Sequence, residues 1–510
     1  MGLGIYRDID IRRSAGNRCF TLAVLVSLII LSFLFSTLAK AQTKQLTYQQ
    51  VFEYGEPKLL GLLPQMKGWL DDKHYLQYYS DPAKDISKLV KVHARAGKAT
   101  TMIDYQVLNN RFLQGFDLKH HVAKTNDYTG FILRKNNDLY YFSTKVNKVK
   151  KLSKGVSEEK NPTFSPNGRY VAYTRDRNLF VIDVQSGMEK QLTYDGSDTI
   201  YNGWASWVYY EEILRRESFY KAFWWAPNSR LIAFMRFDES HVPEFPLLRS
   251  EDIHSEIEWQ RYPKAGDPIP CVKLGVYNLE SDATMWIEMD QTVEHYIAWP
   301  EWSWDSSFLL FQWKNREQNN LKIFKLDLKS GKTYEIYDEK QATWVEFIEE
   351  SNFYLFKNGS GFLLRSDKDD WYNLYYYDLG GKLINQVTKG NWYVDDIAFV
   401  DESNELIYFH GALENKTEKH LYRVDYDGDD LEKLTDVPGS HDASLSPDGT
   451  YFYDRFSTIS HPIKIDLFTT RGEHIRKIGD EKLNLLDSYL LGKTELFTIP
   501  AADGFDLPSL

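Results

Sequence analysis

The chain has 510 residues, of which 43% are hydrophobic and 15% aromatic, and its formal net charge is −12. Because single cores stop growing at roughly 250 to 300 residues, the chain must be divided into domains or built from repeats. Its richness in aromatic residues excludes a disordered chain, and acidity without a basic stripe argues against nucleic-acid binding.

The N-terminal segment has the layout of a secretory leader. Basic residues up to Arg18 precede an apolar run over residues 20–38, and the letters AKA end at residue 41. This order predicts a signal peptide over residues 1–41 and therefore an exported protein of the periplasm or cell envelope. The apolar run is about as long as the roughly 20 residues that span a bilayer, so an uncleaved signal anchor stays open.

A short helix opened by Thr47 as N-cap comes next, and beyond it one pattern recurs. It consists of a turn like S-P-N-G, an apolar strand, a polar hairpin and an aromatic strand ending in Asp. Clear copies of the turn begin at Ser165, Ala226, Ser303 and Ser446. Short strands with a period of about 50 residues predict four-stranded blades, and hence an all-β propeller. The length of the repeating region gives about eight blades, with seven as the alternative.

No pattern indicates a metal or a cofactor. The 12 histidines form no H-E-x-x-H motif, and no C-x-x-C pair is present. Cleavage of the leader would remove Cys19 and leave Cys271 as the single thiol. We expect Cys271 to be a small core residue of its strand and not a nucleophile.

Residues 201–212 carry the strongest functional signal. They read YNGWASWVYYEE, so two adjacent carboxylates, Glu211 and Glu212, follow an aromatic run. Such a run can fix the backbone and lower the local dielectric, as a site for a small cation requires. The alternative is an exposed turn in which two glutamates are adjacent by chance.

Three further motifs follow in chain order. They read FWWAPN at 223–228, FDESHVP at 237–243 and YPKAG at 262–266. With residues 201–212 they resemble, in the same order, motifs of the dipeptidyl peptidase IV family, and the resemblance runs from about Leu46 to the last residue. Two positions depart from the family pattern, because Ser206 replaces its Asp and Tyr210 replaces the first Glu of its E-E-E.

The resemblance implies roles for individual residues. In the family the last two glutamates hold the free α-amino group of a peptide, which assigns substrate binding to Glu211 and Glu212. An arginine on an early blade binds the substrate's backbone carbonyl, and Arg134 takes a comparable place. The turn after Arg134 is shorter than the family's usual one, so an ordinary exposed hairpin arginine is the alternative. Residues 237–267 correspond to an arm that helps to form a homodimer.

The family's catalytic residues are not found. Its serine lies in G-x-S-x-G and is followed by Asp and His, whereas the nearest match here, Gly359-Ser360-Gly361, is predicted to be a hairpin turn. Residues 496–510 resemble the first strands of the family's α/β-hydrolase domain. We therefore expect a propeller over 42–495, the start of a truncated peptidase domain over 496–510, and a chain that is inactive alone.

The resemblance implies the substrate-gating half of an exported serine exopeptidase that releases N-terminal dipeptides with Pro or Ala second. Its partner would be a peptide with a free N-terminus, which the acidic surface weakly attracts. A membrane would be a partner only if the leader is uncleaved. One alternative is a non-catalytic periplasmic propeller that binds peptide or protein. Another is an endopeptidase-like or aminoacyl-releasing relative, which the pair Glu211 and Glu212 argues against.

Overall fold

The computed structural model describes residues 44–53, 55–81, 84–251 and 253–510. The predicted leader lies outside these residues. In the described ranges no helix is long and apolar enough to span a bilayer. The described residues form two compact units, a larger one within residues 64–456 and 466–476 and a smaller one within residues 44–63, 457–465 and 477–510.

The described residues form eight sheets of four or five strands that follow one another along the chain. These sheets are the blades of an eight-bladed β-propeller, so the predicted all-β fold and the count of eight are confirmed. Blades 1 and 2 contain β1 (Gln65–Asp71), β2 (His74–Asp81), β3 (Ile86–His93), β4 (Ala99–Asp104), β5 (Ala123–Lys124), β6 (Gly130–Lys135), β7 (Asp138–Ser143) and β8 (Lys148–Lys151). Blade 3 contains β9 (Lys160–Phe164), β10 (Tyr170–Arg175), β11 (Asn178–Asp183) and β12 (Glu189–Gln191).

Blade 4 is interrupted by a separate two-stranded hairpin. The blade itself contains β13 (Ile200–Asn202), β14 (Phe223–Trp225), β15 (Leu231–Asp238), β18 (Cys271–Asn278) and β19 (Ala283–Trp286). The hairpin consists of β16 (Glu244–Arg249) and β17 (Glu256–Arg261). It falls within residues 237–267, where the family resemblance implies an arm.

The remaining blades each have four strands. Blades 5 and 6 contain β20 (His295–Trp302), β21 (Phe308–Asn315), β22 (Asn320–Asp327), β23 (Thr333–Lys340), β24 (Phe353–Leu355), β25 (Gly361–Ser366), β26 (Asn373–Asp378) and β27 (Leu383–Gln386). Blades 7 and 8 contain β28 (Tyr393–Asp401), β29 (Leu406–Ala412), β30 (His420–Asp425), β31 (Glu432–Lys433), β32 (Ser440–Leu445), β33 (Tyr451–Thr458), β34 (His461–Thr469) and β35 (His474–Asp480). The described residues outside the blades also form α1 (Tyr48–Phe52), α2 (Tyr105–Phe112) and the hairpin of β36 (Phe497–Pro500) and β37 (Asp506–Ser509).

The recurring serine turns are held by the serine side chain. Ser165 Oγ donates to Asn167 Oδ1 at 2.8 Å and accepts from the main-chain N–H of Tyr170 at 3.0 Å. The turns at Ser303 and Ser446 make the same two bonds with their own partners. A hydroxyl that bonds both ends of a turn in this way replaces main-chain hydrogen bonding, so these motifs are structural.

Tryptophan side chains join neighbouring blades of the larger unit. In each case an indole N–H donates to a main-chain carbonyl of the adjacent blade, at 2.9 to 3.3 Å: Trp225 to Thr163, Trp302 to Trp224, Trp304 to Leu355 and Trp69 to Ser444. The bond from Trp69 joins blade 1 to blade 8, and the Trp69 ring also stacks on Tyr453 with 5.9 Å between centroids. These contacts close the ring of blades.

Three local predictions have clear outcomes. The short helix is confirmed, since the Thr47 side chain accepts from the main-chain N–H of Gln50 at 3.2 Å. The Gly359-Ser360-Gly361 turn is also confirmed, between β24 and β25. The prediction of a core position for Cys271 is wrong, because this residue is exposed. Cys271 begins β18 on its exposed face, while the next residue points into the core.

Candidate functional site

The two predicted glutamates lie on an excursion from blade 4 that is closed at its base. Ala222 N–H donates to the carbonyl of Gly203 at 2.9 Å, and Ala205 N–H donates to the carbonyl of Tyr220 at 2.8 Å. Residues 206–219 between these bonds are called the glutamate loop below. Its two ends are therefore tied to the blade.

Glu211 and Glu212 occupy a π-helical turn that spans Tyr209–Ile213. Its wide hydrogen bond runs from Leu214 N–H to the carbonyl of Tyr209, at 2.7 Å. Turns of this kind are rare and occur frequently at functional sites. The Glu211 side chain is only 16% exposed, whereas Glu212 is exposed, so the two carboxylates have different surroundings.

Tyr209 anchors this turn in the core. The side chain is fully buried, and its hydroxyl accepts from the main-chain N–H of Ile297 in blade 5 at 3.0 Å. Its ring meets Phe237 edge-on with 4.6 Å between centroids. Burial raises the pKa of Tyr209 far above its ordinary value, so the hydroxyl stays neutral. The aromatic run thus fixes the backbone that carries both glutamates.

A stack of three aromatic rings supports the other side of the turn. Tyr210 stacks on Tyr220 with 3.9 Å between centroids, and Tyr220 stacks on Trp204 with 4.7 Å. Tyr210 is one of the two departures from the family pattern, and its ring is part of this support. The other departure, Ser206, is buried, and its hydroxyl has no hydrogen-bond partner in the part of the chain that the structure describes.

Glu211 is already paired with a cation that sequence reasoning missed. Arg216 donates from Nε and Nη2 to Glu211 Oε2, at 2.6 and 2.5 Å. The hydrogen bond to Glu211 is the main reason that the pKa of Arg216 is raised. Arg216 itself is 71% exposed. Among the described residues, Glu212 forms no ion pair.

Arg134, the third predicted site residue, lies in β6 and bonds elsewhere. Its Nη1 donates to Glu158 Oε1 at 2.6 Å, and its Nη2 donates to the main-chain carbonyl of Glu159 at 2.8 Å. In the described ranges it makes no hydrogen bond or ion pair with Glu211 or Glu212. Its proposed contact with a substrate carbonyl stays a prediction.

Contacts nevertheless connect Arg134 with the glutamate loop. Lys160 Nζ lies 4.0 Å from Glu158, the ion-pair partner of Arg134, and 4.8 Å from the centroid of the Trp204 ring. Trp204 belongs to the stack that supports Tyr210, the residue before Glu211. Arg134 and the glutamate pair therefore belong to one continuous set of contacts across blades 2 to 4.

The end of the glutamate loop forms part of a cavity wall. Three cavities of about 320, 510 and 820 Å³ all include Trp224 in their walls, and Arg215 and Phe219 line the largest. Pockets of several hundred Å³ with a few charged groups are typical of ligand sites. The cavity space is therefore large enough for a short peptide next to the glutamate loop.

Three charged side chains that the sequence analysis did not predict line these cavities: Lys221, Glu301 and Glu350. Burial lowers the pKa of Lys221, and the nearby Glu350 opposes that shift. The Glu301 side chain is in contact with solvent, but the surrounding cavity walls partly desolvate its carboxyl group and raise its pKa to about 7. The negative charge of Glu350 raises this pKa further. These residues are far apart in sequence, so no local motif could have identified them.

The comparisons with known proteins agree with the resemblance seen in the sequence. The family model described as the dipeptidyl peptidase IV (DPP IV) N-terminal region matches residues 116–463. A probable dipeptidyl-aminopeptidase B from Talaromyces marneffei is 29% identical over 322 residues, which are 57% of this chain and 35% of the relative. Its counterpart from Aspergillus niger is 31% identical over 376 residues, 68% of this chain and 41% of the relative.

A solved structure shares the fold. The crystal structure of Porphyromonas gingivalis dipeptidyl peptidase 4 aligns with a TM-score of 0.78 and 24% identity, over 92% of this chain and 67% of that chain. The two curated relatives are matched over much smaller shares of their length, 35% and 41%. Both comparisons therefore concern a part of those longer proteins.

Proposed function

Since the chain belongs to the dipeptidyl peptidase IV family and carries its N-terminal propeller, we propose that it selects peptides with a free N-terminus for an exported peptidase that releases dipeptides. The observation that carries this proposal is the pair Glu211 and Glu212 on a turn anchored by aromatic residues beside a large cavity. The nucleophile for cleavage would come from outside these 510 residues, which contain no G-x-S-x-G motif.

The chemistry of the pair suits a primary ammonium. An ammonium has three N–H donors, and carboxylate oxygens are its strongest acceptors. A bond to the mostly buried Glu211 would contribute about 1.5 to 3 kcal/mol, and the exposed Glu212 would contribute less because water screens it. Holding the N-terminus at a fixed point would then determine how far into the peptide the cleaved bond lies.

Calorimetric titration of the chain with two tripeptides tests this proposal. Gly-Pro-Ala should bind at least about tenfold more tightly than N-acetyl-Gly-Pro-Ala, which lacks the ammonium. Glu211→Gln should weaken binding of the free peptide by about 10- to 150-fold, and Glu212→Gln should weaken it less. The matched control is Glu280→Gln, an exposed glutamate of blade 4 that lines none of the three cavities, and this variant should keep the native preference. Equal affinity of the native protein for both peptides would overturn the proposal.

We also propose export with cleavage after Ala41. The support is the basic, apolar and A-x-A order of residues 1–41. Intact-mass measurement of protein from the envelope fraction should then give a chain that begins at Gln42. A mass that includes residues 1–41 would instead support the membrane anchor.

The arm, residues 237–267, is proposed to form a homodimer. Its hairpin exposes large apolar side chains, with Leu248 at 70%, Ile257 at 58% and Trp259 at 60% exposure. Apolar side chains grouped on one projecting hairpin are typical of an interface. Sedimentation should show a dimer that Trp259→Glu converts to a monomer, and a monomeric native protein would contradict this role.

A further inference from the structure

The Glu211 carboxylate is occupied in the absence of peptide. Arg216 donates to Glu211 Oε2 from two nitrogen atoms. The second carboxylate oxygen of Glu211, Oε1, accepts no hydrogen bond in the described part of the chain. Arg216 also lies close enough to Glu212 for the two opposite charges to attract each other. One guanidinium therefore offsets part of the negative charge that would attract an ammonium.

The backbone after the pair places Arg216 over Glu211. Arg215 has φ 63° and ψ 158°, a conformation that is normally restricted to glycine. Phe219 and Tyr220 also have positive φ values, of 49° and 67°. The Arg215 side chain forms an ion pair with Glu349, at 2.6 Å. A backbone with this many strained residues persists only when the surrounding structure enforces it. The folded loop therefore fixes the position of Arg216.

We propose that Arg216 is an internal counter-ion of the amine site. An incoming peptide ammonium must either displace Arg216 from Glu211 or share the Glu211 carboxylate with it. The inference rests on the proposed function, because it assigns Arg216 a role at the same glutamate. An ion pair whose cation is 71% exposed is weak, so the peptide can displace it at small cost. Arg216 thereby limits the affinity of the site for free N-termini.

Removal of this cation should improve binding, which a supporting structural role would not do. Arg216→Ala should bind Gly-Pro-Ala about two- to fivefold more tightly than the native chain at low salt. The gain should shrink at high salt, because mobile ions screen exposed charges. Arg216→Lys, which keeps a cation at this place, should restore an affinity close to the native one.

Three controls connect the effect to Glu211 and to the ammonium. Arg216→Ala should have a smaller effect in a Glu211→Gln background, where only its interaction with Glu212 is left, and it should not change the binding of N-acetyl-Gly-Pro-Ala. Arg230→Ala removes an exposed arginine that pairs with Glu280 at 3.1 Å elsewhere in blade 4, and it should leave binding unchanged.

Some results would overturn the inference while the proposed function stands. These are unchanged or weaker binding by folded Arg216→Ala when the native chain still prefers the free peptide, or an equal gain with the acetylated peptide. Failure of the native chain to prefer the free peptide would instead overturn the proposed function itself. Arg216→Gln, which keeps most of the side-chain volume, should behave like Arg216→Ala and separates loss of charge from loss of packing.

Discussion

Replacement of Tyr209 by Phe tests whether the glutamate loop is anchored through blade 5. The substitution keeps the ring against Phe237 and removes only the hydroxyl that accepts from Ile297 N–H at 3.0 Å. Both residues are fully buried, so no water replaces the lost acceptor. An unpaired buried N–H costs about 1 to 3 kcal/mol. If this cost opens the local structure, exchange of the Ile297 amide hydrogen should be faster by about 5- to 160-fold.

Hydrogen exchange followed by mass spectrometry on peptides spanning residues 293–300 measures this effect directly. Tyr210→Phe is the matched control, because Tyr210 keeps its ring stack and its hydroxyl makes no hydrogen bond among the described residues. The control should exchange like the native protein in this segment. Native protection of Ile297 in Tyr209→Phe would refute the anchoring argument. Since the Tyr209 hydroxyl stays neutral, the effect should not depend on pH between about 6 and 9.

Two buried basic side chains, His441 and Lys314, should make the stability of the fold depend on pH in opposite directions. His441 donates to Asp454 and to the carbonyl of Val437, at 2.6 and 2.7 Å; burial opposes its charge, but the bond to Asp454 raises its pKa. The stabilisation that His441 contributes is therefore complete below pH about 6.5 and is lost as pH rises through the higher pKa of the folded state. The unfolding temperature of the native protein should fall over this pH range, and His441→Gln should reduce that fall. Burial lowers the pKa of Lys314, which donates to the Val345 carbonyl at 2.7 Å, to about 8. The unfolded chain then binds more protons above pH 8, so stability should rise toward pH 10 in the native protein and not in Lys314→Met.

The repeating fold could be predicted because its signals are local. The turn at Ser165 needs a hydroxyl, an Asx side chain and the residue five positions after the serine, all within six residues. Strand alternation is equally local, and repetition along the chain implies stacked blades. The error at Cys271 shows the limit of this reasoning. Alternation predicts that one face of a strand is buried, but the neighbouring blades decide which residues lie on that face.

The glutamate pair could be found because Glu211 and Glu212 are adjacent in a recognisable motif, whereas Arg216 could not be assigned to it. Its pairing with Glu211 depends on a positive φ at Arg215, and no pattern predicts such a conformation for an arginine. The contacts of Arg134 with Glu158 and Glu159 likewise depend on how blade 2 meets the connection to blade 3.

The sequence by itself determined the class of fold and the family and supplied Glu211 and Glu212 as the candidate pair, since turn chemistry, strand alternation and motif order depend on neighbours along the chain. Tertiary structure alone decided that Tyr209 bonds to a strand 88 residues away and that Glu211 carries an arginine. It also decided that Lys221, Glu301 and Glu350 line cavities that all meet at Trp224. The physical reason is that the Tyr209 bond and the cavity walls depend on distances between blades, while the pairing of Glu211 depends on the backbone conformation of the folded loop. Neither exists before the chain has folded.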